Sequence, residues 1–550
     1  LARPILVLGA TGLFGGHLAR RLIGAGHEVV LAGRDEARLA AFARAHGGVP
    51  CAMDRDDPAA VATALARHAP FAVIDAAGPF QAYGADPYRF ARQVLEAGAH
   101  YLDLADASGF VAGIGALDGL ARARGLAAIS GASSTPALTA AAADALADGL
   151  DHVESVEAAI LPGNRTDRGM SVIRAILAQV GQPYRLWRGG RWERVRGWDD
   201  TRPVPFAAGG YRLTRPGALN ETPDVALFPA RYDARSVVFR AGLELGLLHH
   251  GLSAARWLVR LGLVRSLAPL ARPAHRAASA LKGLGSDRGG MTVAVLGSSG
   301  GAWQRRVWDL VAPDGIGPRI PAEPAALLVG KLLAGGVAPG ARPAAGTLTL
   351  AECEAGLHAL GVVTERRDTA VAPIFPSAVS GFGTLPPAVR ALHDRLGVRR
   401  FAGRADIDGP EGPLAWMLGR VAGFPPPGRD VPVTVEIDAG ESREVWTRTF
   451  GRHRFRSVLT PDGDGVRERF GPAQFSLGLA VEGQALAYPV RGARVFGRVP
   501  LPAVLVPVSH TLETEDAEGR FRFDVRIALR SGGRIAHCRG WLVPVPDARP

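Results

Sequence analysis

The chain of 550 residues is poor in cysteine, with three, and in lysine, with two against a large arginine excess. Cys51, Cys353 and Cys538 are far apart and form no Cys-x-x-Cys pair, so neither a disulfide framework nor a structural zinc site is indicated, and no metal site is expected. With only Lys282 and Lys331 present, none of Tyr83, Tyr88, Tyr101, Tyr184, Tyr211, Tyr232 and Tyr488 has a lysine four residues on. That excludes the Tyr-x-x-x-Lys proton relay, in which the ammonium one helical turn away acidifies the phenol. The net charge of +12 comes from arginines scattered through every segment, without the compact basic run and interleaved aromatics of a nucleic-acid platform. No apolar run reaches the ~20 residues that cross a bilayer.

What is present begins at once. Ile5 to Leu8 is a short apolar strand that runs into glycines at 9, 12 and 15, then a helical pattern with Leu18, Leu22 and Ile23 on one face, then a second strand from Glu28 to Ala32. Strand, glycine turn, helix, strand is the opening of a dinucleotide-binding fold. Gly9 permits the sharp turn, Gly12 lets a pyrophosphate approach the backbone, and Gly15 lets helix and sheet pack closely. Gly9, Ala10, Thr11, Gly12, Leu13, Phe14 and Gly15 are therefore the candidate phosphate contacts, with the free amides and dipole at the helix start supplying the attraction.

The second strand ends Gly33-Arg34. A guanidinium there suits the 2′-phosphate of NADP, whereas NAD is read by an acidic residue. Asp35 follows directly and is able to serve a ribose hydroxyl; NADP is the cofactor expected, NAD the less favoured one. A third strand, Val49 to Met53, ends at Asp54, a candidate adenine-side residue. A fourth runs into Ala76-Ala77-Gly78-Pro79-Phe80, the loop that should border the nicotinamide. The strand after it, Tyr101-Leu-Asp-Leu-Ala-Asp106, carries the candidate proton donors Asp103, Asp106 and Tyr101; a capping carboxylate and a core tyrosine are equally good readings of them.

Three regions are expected: a Rossmann domain over 1–135 with a parallel sheet, an inserted α+β substrate or dimer domain over 136–372 that returns to the first near 346–372, and a C-terminal antiparallel β domain, barrel or half-barrel, over 386–550. The stretch 184–240 suggests short strands with long connections. Pro373, Pro376, Pro386 and Pro387 mark the second boundary. Beyond it the pattern predicts about seven strands: Val431 to Ile437, Glu444 to Phe450, Gln474 to Val481, Arg494 to Val499, Leu505 to Glu515, Arg520 to Leu529 and Arg534 to Val543. Curled up, such a meander either packs solid, the commoner outcome, or encloses a cavity; the reading preferred is a cavity that presents an apolar substrate to the nicotinamide cleft.

The segment Ala241 to Val264 stands out for its wide apolar face, with Leu247, Trp257, Leu258 and Leu261, and for Arg256 and Arg260 one turn apart. A peripheral membrane contact and a domain-capping or homodimer helix both fit it, and the second is the commoner use. The adjacent His249 and His250 point to different faces and make a poor metal pair. The chain starts directly in a core strand without a signal peptide, so a cytoplasmic location is expected.

Several motifs add a resemblance. Gly-Ala-Thr-Gly-Leu-Phe-Gly (9–15), Ala-Gly-Arg (32–34), Ala-Ala-Gly-Pro-Phe (76–80) and Ala-Gly-Ala-His-Tyr-Leu-Asp-Leu (97–104) resemble the saccharopine dehydrogenase-like family over roughly residues 4 to 370. The resemblance implies an NADP- or NAD-binding Rossmann domain interrupted by a second α/β domain that carries the substrate face. Where amino-acid-handling relatives have an Asp-Pro-Gly turn, this chain has Ser133-Ser-Thr-Pro136, so the amino-acid substrate is not carried over. The C-terminal part resembles an uncharacterised bacterial domain through Trp446-x-Arg448-x-Phe450, Glu468-Arg-Phe-Gly471 and Gly540-Trp-Leu542. The expectation is an NADP-dependent oxidoreductase reducing a C=N, C=O or conjugated C=C bond of a small, moderately apolar substrate. The alternative is a scaffold or sensor that binds the cofactor without turnover.

Overall fold

The computed structural model describes residues 3–502, 506–530 and 532–548. Six parallel strands build the first sheet: β1 (Ile5–Leu8), β2 (Val29–Gly33), β3 (Val49–Ala52), β4 (Ala72–Asp75), β5 (His100–Asp103) and β6 (Ala127–Ser130). A seventh, Gly340–Pro343, pairs with β6, giving the order Gly340–Pro343, β6, β5, β4, β1, β2, β3. β1 is central and wholly buried, which is why its four residues are all apolar. The helix α1 (Leu13–Gly24) follows the glycine turn, and α2 (Glu36–His46) follows β2.

A second sheet of seven strands forms the inserted domain, in the order Arg202–Ala208, Tyr211–Leu219, Ser236–Gly242, His152–Leu161, Gly289–Ser299, Ala302–Ala312, Val363–Ala370. Only Ser236–Gly242 and His152–Leu161 pair in parallel. One face, with Val156, Met291, Val293 and Trp308, shares a single apolar core with the first sheet through the helices Thr139–Ala147 and Glu323–Leu333. Between 184 and 240 the structure has tight hairpins and the helix Pro223–Tyr232 rather than long connections. The return to the first sheet is the strand Gly340–Pro343, ahead of the segment 346–372, whose strand Val363–Ala370 completes the second sheet. Four residues with Arg342 and Pro343 among them carry too weak a strand pattern to be read.

Thirteen antiparallel strands make up the third sheet among the described residues, nearly twice the seven expected. The long strand Gly397–Asp408 pairs on both sides yet escaped the period-two reading, because Arg399 and Arg400 occupy buried positions in it. Leu505, the expected start of one strand, lies outside the described residues; the strand itself is Val508–Glu515.

The preferred cavity is not what this sheet encloses. It curves around the helical turns Ile374–Ala378 and Pro387–His393, and Ile374, Phe375, Val389 and Leu392 fill the interior against Trp446, Phe401 and Leu486. Trp541 is on the outside, under the Arg520 guanidinium at 4.8 Å. Among the polar groups that enter the interior, Tyr488 donates to Glu513 Oε2 at 2.8 Å, and His393 Nε2 lies 2.7 Å from the same oxygen. Ile374, Phe375 and Val379, which precede residue 386, pack in this core as well.

An ionic seam joins the third domain to the second. Arg400 is buried, donates to the Gly189 carbonyl at 2.7 Å and to Glu436 at 2.9 Å, and pairs with Glu193. Arg188 meets Asp438 at 2.7 Å, and Arg235 meets Asp547 at 2.8 Å.

Candidate nucleotide and substrate site

The glycine turn joins β1 to α1 at the carboxyl edge of the first sheet. Gly9 has φ +80°, and a Cβ on it would stand 2.8 Å from the Ala76 carbonyl oxygen. Ala10 is buried and Phe14 packs into the core, so these two contribute backbone rather than side chain. Gly12 caps α1 without any side-chain bond, and the first helical turn holds no acidic residue, leaving its amides free for an anion. A Cβ on Gly12 would meet nothing within 4 Å except the Gly9 carbonyl oxygen at 3.1 Å, so its outer side is open. The turn fits a pyrophosphate.

At the end of β2, Arg34 is exposed beside the turn. Asp35 is already engaged: it caps α2, accepting from the Arg38 amide at 3.0 Å. Arg38, one turn after Arg34, donates from its guanidinium to the Thr11 carbonyl at 3.1 Å. Sequence reasoning passed over Arg38, although an arginine in the first turn of the helix after β2 was a usable signal. Asp54, after β3, spends Oδ1 on the Asp56 amide at 3.0 Å.

The loop Ala76–Phe80 lies next along the edge. Behind it Asp75 is fully buried, accepting from the Ala77 amide at 3.0 Å and from the Tyr83 hydroxyl at 2.9 Å. The Arg55 guanidinium sits 3.5 Å over the Tyr83 ring. Burial raises the Asp75 carboxyl, and burial together with that carboxyl raises the Tyr83 phenol, which stays protonated as a donor to Asp75.

The three proton-donor candidates are separated by the structure. Tyr101 is buried in the core against Phe90. Asp103 is equally buried, and its Oδ1 accepts from the Ser130 hydroxyl at 3.0 Å, the Gly131 amide at 2.7 Å and the Ala105 amide at 3.0 Å. Both brace the frame, and neither lines the cavity that Asp106 reaches. A strand-end position suggested the cleft, but paired residues on adjacent parallel strands face the same way, and Asp103 pairs with the buried Asp75. Only Asp106 reaches a cavity, where Gln81 Nε2 donates to it at 3.3 Å.

That cavity, about 310 Å³, lies between the first and inserted domains. Phe80, Tyr83, Tyr88 and Phe110 form its aromatic side, and Asp106 and Glu221 supply its carboxyls. Desolvation raises both carboxyls from their ordinary range, although Asp106 keeps an exposed side chain and Glu221 is half-buried. No lysine or arginine lines it. Glu221 was missed, since nothing in its sequence neighbourhood points to the first domain. Its backbone is tied to the helix Met170–Gln179 by a reciprocal pair, Glu221 amide to Gln179 Oε1 at 3.0 Å and Gln179 Nε2 to the Glu221 carbonyl at 3.3 Å. The other end of that helix meets the glycine turn, for a Cβ on Gly169 would stand 3.3 Å from the Leu13 Cβ. The helix thus walls a cleft that runs from the phosphate turn to the cavity. Among the described residues no cluster of metal-binding side chains occurs.

Residues 5–112 match the model of the NAD dependent epimerase/dehydratase family. The matched residues hold the glycine turn and the strands β1 to β5. Residues 385–542 match a domain of unknown function (DUF4166), in keeping with the resemblance read from Trp446 onward. Comparison with curated proteins finds no match. Among solved structures the chain is similar to apo saccharopine dehydrogenase (L-Glu forming) from Saccharomyces cerevisiae, at 15% identity over 67% of this chain and 100% of that one, TM-score 0.45. It is also similar to 3-ketoacyl-(acyl-carrier-protein) reductase from Brucella melitensis, complexed with NADH, at 20% identity over 23% of this chain and 73% of that one, TM-score 0.20. A short-chain dehydrogenase/reductase family oxidoreductase from Burkholderia thailandensis aligns at 24% identity over 24% of this chain and 68% of its own, TM-score 0.18.

Proposed function

We propose that the protein is an NADP-dependent oxidoreductase that reduces a C=N bond of a small apolar substrate, held in the cavity between the first and inserted domains. The observation that carries this reading is the lining of that cavity: aromatic rings, two carboxyls and no cation. Such a lining attracts an imine or iminium nitrogen, through charge and through the ring faces, and repels an anionic carbonyl compound. Of the three bond types open from sequence, C=N fits best. A bound nicotinamide would supply the hydride to the carbon, and the C=N electron pair would move to nitrogen. Asp106 would hold the proton that the nitrogen takes up, its carboxyl being raised from the ordinary carboxylate range by desolvation. Arg34 and Arg38 support NADP, because Asp35, the one group that favours NAD, is spent on capping α2.

The test is NADPH consumption with alkyl-substituted cyclic imines against matched ketones and enones. Imines should turn over and the others should not, and Asp106→Asn should lower kcat about 10²-fold or more with little change in KM. Turnover of ketones alone overturns the C=N assignment. NADPH binding with no turnover of any class returns the protein to a scaffold or sensor.

A further inference from the structure

The helix Gly246–Arg260 begins later than the apolar segment from Ala241, because Ala241 and Gly242 belong to a strand and Leu243 is buried. It carries two apolar seams. Leu248, Leu252, Ala255 and Val259 pack inward with Ile173 and Leu177 of the cleft-walling helix. His249 also points inward, buried against Trp198, while the other seam has no partner. Leu247 is 77% exposed, Leu261 68% and Leu263 67%, with Trp257 and Leu258 between them at 44% and 42%. Leu270 and Leu284, before and after the next helix Ala271–Ala280, are half or more exposed as well.

Charge on this protrusion has one sign. From Leu245 to Ser286 there is no aspartate or glutamate, while Arg256, Arg260, Arg265, Arg272, Arg276 and Lys282 fall in the same stretch. Arg256 is partnered by Asp199 and Lys282 by Asp167, but among the described residues the other four form no ion pair, and all four are exposed. Arg260 lies 4.5 Å over the Trp257 ring. Exposed leucines ringed by unpaired arginines, with a tryptophan at the junction of the two, complement a surface that is anionic above and apolar below. A second copy is a poor occupant, since a two-fold contact would set these arginines against themselves. Among the described residues no helix is long and apolar enough to cross a membrane, so the contact is made from one side.

We infer that residues 245–286 dock the protein onto the surface of an anionic lipid bilayer, with Leu247, Leu258, Leu261 and Leu263 entering the interface. The inference stands apart from the proposed reaction, although the docking helices pack on the helix that walls the cleft.

The experiment uses the full chain and sedimentation with vesicles of phosphatidylcholine alone or with about 30% phosphatidylglycerol. Wild type should bind the mixed vesicles and not the neutral ones, and raised salt should weaken binding. Leu261→Glu/Leu263→Glu should lower the vesicle partition coefficient about tenfold or more, with an unchanged melting temperature. Arg260→Gln/Arg272→Gln/Arg276→Gln should lower it by about fivefold per arginine on anionic vesicles. The inference is overturned if wild type binds neither vesicle, or if either variant binds as wild type does. It is overturned equally if Leu261→Glu/Leu263→Glu converts a dimer into a monomer in analytical ultracentrifugation, because the face then belongs to a second copy.

Discussion

The Cβ that Gly15 lacks would stand 2.3 Å from the carbonyl oxygen of Gly9. The two glycines are in backbone contact where α1 crosses the end of β1, and no side chain fits between them. Gly15→Ala must therefore move helix from strand, and it should cost about 2–4 kcal/mol of stability through overpacking. Gly12→Val enlarges a side chain toward open space instead, so the fold should survive while NADPH binding is lost. Thermal melts and fluorescence titrations separate the two. A Gly12→Val protein that binds NADPH normally would place the phosphates elsewhere.

Cofactor choice should follow the arginines. Arg34→Ala removes a charge-assisted contact worth about 1.5–3 kcal/mol, so NADPH affinity should fall roughly tenfold to hundredfold while NADH affinity hardly moves. Arg38→Ala differs, because Arg38 also steadies the phosphate turn through the Thr11 carbonyl. It should weaken both dinucleotides, NADPH the more. Equal losses for both cofactors in the Arg34→Ala protein sink the 2′-phosphate assignment.

The buried Asp103 makes stability depend on pH. Burial, opposed only in part by three hydrogen bonds, pushes its carboxyl from 3.8 up to about 7. Between these values the folded state holds a proton that the unfolded chain has released, so this group's contribution falls as pH rises, with the full cost reached above about 7. Asp103→Asn keeps an oxygen for the Gly131, Ala105 and Ser130 donors and stays neutral. The amide nitrogen replaces Oδ2, which has no partner. The variant should be more stable than wild type at pH 8 by about 1–3 kcal/mol, with the difference shrinking steadily as pH falls toward 4. Asp224, also raised to about 7 by burial, leaves part of the slope in place. Parallel pH profiles from urea melts would show that Asp103 does not titrate in this window.

How much of this was legible in the sequence varies along the chain for physical reasons. The glycine turn and β1 to β6 could be read because local pattern alone builds them: a buried parallel strand must be apolar, and a turn against a phosphate must be glycine. Asp106 could be placed at the cleft, but Asp103 and Tyr101 could not be moved off it, because strand-end residues look alike until the sheet register is known. Glu221 sits 115 positions beyond Asp106 and joins it only through tertiary packing. In the third domain, Arg399 and Arg400 hid a long strand, since buried arginines held by carbonyls and carboxylates break the period of two. The proline cluster gave no sign of packing either: Pro373 caps and Pro376 lies inside the short helix Ile374–Ala378, whose Ile374 and Phe375 are buried against the third sheet.

That packing yields the last prediction. Cutting the chain at residue 386 leaves Ile374, Phe375, Val379 and Leu385 behind, and all four are buried in the core around which the third sheet curves. Phe375 alone stacks on the His393 ring at 3.9 Å between centroids, and the loss of a buried phenylalanine side chain costs about 3–5 kcal/mol. Four such residues exceed the whole stability of an ordinary domain, about 5–15 kcal/mol, or nearly so. A fragment 386–550 should therefore lack a cooperative melt and near-ultraviolet circular dichroism. A fragment 371–550 keeps this apolar core complete and loses the contacts with the second domain, the ionic seam among them, whose Arg400 and Asp438 would be exposed to water that replaces Glu193 and Arg188. It should fold with a single transition. Equal behaviour of the two fragments would mean that Ile374–Ala378 only rests on a sheet able to close its core without it.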